Sequence, residues 1–358
     1  MIQNRLNNVL ILMRERGLNQ MLVTSTPSIF YLTGNWISAG ERMIALYLNI
    51  NGNHKYIVNK LFPIYEDLGV DIGWYTDVED PIELLCEIIN KDETLGVDKN
   101  WPSHFLIKII DKKGAKDFIN ASPIIDRLRM IKDEEEIELM KKSSQINDRV
   151  MTALCNELKE GYSEKYYCNL LADLYEKEGV NSFSFSPIVA MSPNGADPHH
   201  KSGKETLKKG QSIVIDIGGV YNYYCSDMTR TVFFGEEPNE RHKEIYNIVK
   251  EANLKAIATV KEGVKFSDID KAARDHIEKA GYGEFFTHRT GHSIGIEGHD
   301  FGDVSSINHE EIKAGMIFSI EPGIYIKDDF GVRVEDLVLV TKNGCQVLNS
   351  VSKEVTVI

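Results

Sequence analysis

The sequence is short of the features that mark secreted, membrane-bound or nucleic-acid-binding chains. Cysteine is scarce: there are five in 358 residues, Cys86, Cys155, Cys168, Cys225 and Cys345, odd in number and with no Cys-x-x-Cys pair. That scatter argues against a disulfide framework and predicts free, packed thiols in a reducing cytoplasm. The opening MIQNRLNNVLILMRERG lacks an apolar run long enough for a signal peptide or a membrane span, so no membrane partner is expected. Its Leu6, Val9, Leu10 and Met13 fall on one helical face instead. Positive charge is in deficit, with 41 Lys and Arg against 54 Asp and Glu and a net charge of -13. With no basic stripe either, no nucleic acid partner is expected. The glycine-rich GHSIGIEG is not followed by Gly-Lys-Ser or Gly-Lys-Thr, and no Gly-x-Gly-x-x-Gly precedes a helix, which argues against a phosphate loop.

What is present is an ordinary globular composition, 42% apolar and 27% charged, in a length that suggests two domains. Residues 1–125 alternate helical and strand-like segments, as in a small α/β domain. MLVTS (21–25), MIALYLNI (43–50), HKYIVN (54–59) and TLGVD (94–98) read as strands, and PIELLCEIIN (81–90) as an amphipathic helix. A long helix is predicted over 131–161, with acidic residues in its first turn and Gly161 at its stop. The domain boundary is expected just before it, so that the second domain runs over 126–358.

That second part echoes itself. Helical segments at 133–160 and 163–179 precede strands around Asp216 and Asp227, and segments at 240–262 and 267–280 precede strands around Glu321 and Glu335. LKKGQSIVIDIGG matches IKAGMIFSIEPGI: Asp216 follows Gly210 by six residues, and Glu321 follows Gly315 by six. Two αα-ββ units are expected, each setting two acids within strands.

Aspartate is a poor strand former, and carboxylates buried together repel unless protons, arginines or metal ions neutralise them. His292, in RTGHSIGIEGHD, lies between the two pairs. Four carboxylates and one imidazole balance two divalent cations, and carboxylates can bridge them. This is the donor set of a two-metal hydrolytic site, whose ions stand roughly 3.5–4 Å apart.

Five segments, SPNGADPHH (192–200), IDIGGVYNYYCSDMTRT (215–231), THRTGHSIGIEGHD (287–300), SIEPGIYI (319–326) and GVRVED (331–336), together resemble the pita-bread metallopeptidases. That family includes prolidase, aminopeptidase P and methionine aminopeptidase. SIFYLTGNW (28–36) resembles the creatinase-type N-terminal domain of the first two, which methionine aminopeptidases lack. The resemblance implies an α+β fold: a pita-bread catalytic domain at 126–358 preceded by a smaller α/β creatinase-type domain at 1–125.

Carried over position by position, the resemblance implies Asp216 as a ligand through both oxygens, and Asp227 and Glu335 as bridging ligands. His292 is the lone histidine ligand, and Glu321 a ligand that also handles the catalytic proton. His199 stabilises the tetrahedral intermediate, and His299 is a second catalytic histidine facing the substrate. His288 and Arg333 bind substrate, shaping a pocket that prefers proline. Two divalent ions per chain are implied, with manganese first and cobalt or zinc as alternatives. The implied substrate is a small peptide with proline in second position, and the implied assembly a homodimer. Ser293, Asp300 and Gly219 depart from the family's usual glycine, glutamate and alanine but remove no ligand.

Other readings stand beside this one. The same fold serves aminopeptidases P on longer peptides, hydrolases of small non-peptide amides, and binding modules that have lost ligands. Arg333 also reads as a charge partner of Glu335 or Asp336, His200 as an exposed neighbour of His199, and Cys225 as a packed strand residue.

Overall fold

The computed structural model describes residues 1–358, which divide into two compact units, Met1–Arg129 and Met130–Ile358. The first unit runs α1 (Gln3–Glu15), β1 (Gln20–Val23), α2 (Thr26–Thr33), β2 (Ala45–Asn49), β3 (Lys55–Asn59), β4 (Asp71–Tyr75), α3 (Pro81–Ile88), β5 (Thr94–Val97), α4 (Ser103–Asp111), β6 (Asp117–Asn120) and α5 (Ser122–Met130). Residue 126, where the sequence suggested a boundary, lies inside α5. The six strands form one mixed sheet in the order β4-β3-β2-β1-β5-β6. Its central strand, β1, is buried along its whole length, and Leu22, Tyr47, Ile57, Leu95 and Phe105 pack into one core. Leu6, Val9, Leu10 and Met13 of α1 are buried, as their helical spacing requires.

The second unit contains α6 (Glu134–Asn156), α7 (Glu164–Lys177), β7 (Ile188–Met191), β8 (Ser212–Ile217), β9 (Val220–Tyr221), β10 (Tyr224–Cys225) and β11 (Met228–Phe233). Then follow α8 (Glu240–Thr259), α9 (Phe266–Lys279), β12 (Gly291–His292), β13 (Asp303–Val304), β14 (Ile317–Ile320), β15 (Gly323–Ile326), β16 (Phe330–Arg333), β17 (Asp336–Thr341) and β18 (Gly344–Val347). Asp133 caps α6 in a capping box with Glu136, while Ser163 and Asn239 cap α7 and α8. The long helix stops at Asn156, short of the expected residue 161. Leu158 turns into the core, and the amide of Gly161 donates to Leu207 O, which draws the chain off the helical path.

Two helix pairs followed by strands recur, as the echo predicted, and each half has its own core. Leu154, Tyr167, Ile215 and Met228 belong to one; Val249, Phe266, Phe318 and Val338 belong to the other. Gly210 and Gly315 both adopt positive φ, 85° and 90°, so the Lys-x-Gly echo marks the same left-handed turn before an equivalent strand. One expectation needs correction. Only Asp216 lies within a strand; Asp227 precedes β11, Glu321 follows β14, and Glu335 falls between β16 and β17. At these ends the carboxylates leave the ladders, while the amides of Glu321 and Glu335 stay bonded to Thr290 O and Thr229 O.

Candidate metal centre and its pocket

The antiparallel register of β8 and β11 pairs Asp216 with Thr229, which brings Asp216 and Asp227 to one end of the ladder. β12 supplies His292, whose amide donates to Ser319 Oγ two residues before Glu321. Asp227, His292 and Glu335 place ligand atoms within 4.8 Å of one another, and all three are buried. His292 Nε2 stands 3.6 Å from Asp227 Oδ2 and 3.4 Å from Glu321 Oε1. Asp216 and Glu321 border the same cavity of about 870 Å³, together with His199, His299, His288 and Arg333. The structure therefore brings together the nine residues assigned from the resemblance as ligands, catalytic groups or substrate contacts.

The electrostatics are those of crowded acids. Burial first, then Glu335, Asp216 and Glu321, raises Asp227 well above the usual carboxylate range. Burial first, then Glu321 and Asp216, does the same to Glu335. Burial, opposed by Arg333, pushes Glu321 up to about 7. Burial, then His299, holds His292 well below its ordinary value, so its imidazole is neutral. With Nδ1–H donated to Ser293 O at 3.2 Å, its Nε2 lone pair faces Asp227 and Glu321. Asp216 Oδ1, Asp227 Oδ1 and Glu335 Oε1 are buried without a hydrogen-bond partner. Unpartnered buried carboxylate oxygens beside a neutral imidazole fit divalent cations, which supply the missing positive charge.

Arg333 does not pair with Glu335 or Asp336. Its Nη2 lies 2.6 Å from Asp216 Oδ2, its Nη1 donates to Tyr325 OH at 2.9 Å, and its Nε donates to Thr229 Oγ1 at 3.0 Å. Asp336 is held instead by Arg230 and Lys353. Thr229 Oγ1 in turn donates to Glu335 Oε2 at 2.7 Å, and His288 Nε2 lies 2.9 Å from Tyr325 OH. Tyr325 and Thr229 were missed from the sequence. Both lie inside the quoted motifs, but a single hydroxyl leaves no charge or spacing signal. His199 and His299 are exposed in the cavity, and the His299 ring stacks edge-on against His292 at 4.0 Å. His200 is tied to the buried Glu164 at 2.7 Å. Cys225 is buried in β10, as expected of a packed thiol. A second cavity, about 930 Å³, is bordered by Asp148, Arg230, Tyr246 and Ser350 and gathers no comparable group of acids.

Comparison with known proteins shows the family and the fold. Residues 138–342 match metallopeptidase family M24, and residues 5–131 match the creatinase/prolidase N-terminal domain. An uncharacterized peptidase of Staphylococcus haemolyticus is 38% identical over 341 residues, covering 92% of this chain and 94% of that protein. The solved dipeptidase of Pyrococcus horikoshii OT3 superposes with a TM-score of 0.93 at 34% identity, over 99% of this chain and 100% of that one. The recombinant prolidase from Thermococcus sibiricus gives a TM-score of 0.93 at 34% identity, over 100% and 99%. The chain belongs to metallopeptidase family M24. It has that family's pita-bread domain, preceded by a creatinase-type N-terminal domain. No helix is long and apolar enough to cross a membrane.

Proposed function

We propose that this chain is an Xaa-Pro dipeptidase, hydrolysing the bond between an N-terminal residue and a following proline with the help of two divalent ions. The observation that carries the reading is the convergence of Asp216, Asp227, His292, Glu321 and Glu335 on one cavity, with three buried carboxylate oxygens unpartnered. These five residues would hold the ions. The oxygen-rich set suits manganese, with cobalt or zinc as alternatives. When bound, such a pair supplies Lewis acidity and acidifies a water toward neutral pH.

The chain's own residues do the rest. A bond to proline is a tertiary amide with no N–H, so a protease that reads backbone hydrogen bonds handles it poorly. Glu321 accepts the proton of the attacking water and passes it to the departing prolyl nitrogen, as general base and then acid. His199 donates to the oxygen that gains charge, and His299, edge-on against His292, faces the substrate. His288 and Arg333, joined through Tyr325, form a rigid wall. Phe185, Pro187 and Ile188 give the cavity an apolar side suited to a prolyl ring. Five free cysteines support a reducing, cytoplasmic setting, and a homodimer is the proposed assembly.

Turnover of Xaa-Pro dipeptides against Xaa-Pro tripeptides, with manganese added, tests the reading. Faster cleavage of the dipeptide is expected. Equal or faster cleavage of the tripeptide moves the assignment to an aminopeptidase P, and cleavage of neither moves it to a non-peptide amide.

A further inference from the structure

Glu164 opens α7 and is fully buried, yet the proposed chemistry makes no use of it. Its Oε1 accepts from the amide of Met191 at 2.9 Å and from Asn194 Nδ2 at 3.0 Å. Its Oε2 accepts from the amide of Gly203 at 2.8 Å and lies 2.7 Å from His200 Nε2. A buried carboxylate is costly unless its lone pairs are satisfied, and here both oxygens are. All four partners belong to one stretch of chain, which leaves β7 at Met191, passes His199 and returns at Gly203.

Backbone bonds close the same stretch: the amide of Lys165 donates to Gly203 O and that of Glu164 to Glu205 O. Arg333 Nη1 reaches Pro198 O at 3.5 Å. Both neighbours of His199 are therefore anchored, Pro198 to the arginine that holds Asp216 and His200 to Glu164. The His199 imidazole itself is left exposed in the cavity.

We infer that Glu164 is a positioning residue that fixes where His199 stands by clamping the 191–203 segment at Met191, Asn194, His200 and Gly203. The inference rests on His199 being the donor to the substrate carbonyl. Only a carboxylate serves the site. Glutamine has the same shape, but its NH2 group would face either the Met191 and Asn194 donors or the Gly203 and His200 donors, leaving donor against donor. A displacement of about 1 Å at a catalytic donor can cost on the order of 100-fold in rate.

The test is a double-mutant cycle with two further readouts. Glu164→Gln, His200→Leu and His200→Gln are made in the unaltered chain, and Glu164→Gln also in His199→Ala. Measured are kcat and KM on an Xaa-Pro dipeptide, manganese bound per chain, and deuterium uptake of the 191–203 segment. In the unaltered background, Glu164→Gln and His200→Leu lower kcat by on the order of 10–100-fold with KM within about threefold. His200→Gln, which keeps a donor for Glu164, retains most of kcat. Metal content holds, and deuterium uptake rises in 191–203 alone. In the His199→Ala background, Glu164→Gln costs less than about twofold more, because the group it positions is gone. An equal fold-loss in both backgrounds, or unchanged uptake in the segment, overturns the inference. If the unaltered enzyme cuts no Xaa-Pro dipeptide, the functional reading fails by itself, and the uptake of 191–203 still decides whether Glu164 clamps the segment.

Discussion

Arg333 and Asp216 form a buried ion pair, with Nη2 2.6 Å from Oδ2, while the other oxygen of Asp216 has no partner. One carboxylate thus divides its two faces, one to a fixed guanidinium and one to the cavity, so Oδ1 alone is open where the resemblance implied both oxygens as ligands. The same arginine holds Tyr325 and Thr229, so it sets three groups of the site at once. Lysine keeps the charge but cannot serve three acceptors in a plane. Arg333→Lys should cost on the order of 10–100-fold in metal affinity or in kcat/KM. Calorimetric titration with manganese beside steady-state kinetics would measure both, and unchanged values would contradict the account.

Metal removal should inactivate the protein and loosen it. Refilling with manganese should restore activity at about two ions per chain. An ion at about 100 times its Kd adds about 2.7 kcal/mol to folding stability. Thermal melting before and after chelation would show the shift. Full turnover by rigorously chelated protein would contradict the two-ion reading.

His199→Ala should separate binding from catalysis. It should keep its metal while losing on the order of 10²–10³ in kcat, as when a single oxyanion donor is removed. Elemental analysis beside kinetics reads both. Loss of metal would make His199 a ligand and displace one of the five.

Behind the site, Arg230 bonds Asp336, the Glu335 carbonyl and the carbonyls of Val351 and Ser352, and both charged partners are buried. Removing Arg230 leaves Asp336 with Lys353 as its one cation and strips the Glu335, Val351 and Ser352 carbonyls of their guanidinium donor. Arg230→Met should destabilise by about 3–5 kcal/mol in urea unfolding. The exposed Arg149–Glu178 pair is the control, and Arg149→Met should cost about 0–1 kcal/mol. Equal costs for the two would mean that burial does not set the scale.

Much of this architecture is legible in the sequence where one physical signal dominates. The α1 stripe of Leu6, Val9, Leu10 and Met13 follows from helical spacing, the strands β1 and β2 from their apolar runs, and the equivalence of the two halves from the echo at Gly210 and Gly315. The two edge strands, β4 and β6, are not so legible. DIGWY and DFIN are partly exposed and lack the apolar alternation that marks a paired strand. The site's acids were legible as carboxylates set in apolar, strand-like runs, repeated by the internal echo and matched by the family motifs. Tyr325, Thr229 and Glu164 were not, because their roles come from what the fold sets beside them. Arg333 shows the same limit, since its partner lies 117 positions away, while Glu335 and Asp336 are its neighbours in sequence.

The most direct test of the central claim is the initial rate of manganese-loaded enzyme on an Xaa-Pro dipeptide against the matched Xaa-Ala dipeptide. The account predicts a preference for proline on the order of 100-fold. Equal rates on the two substrates would contradict it.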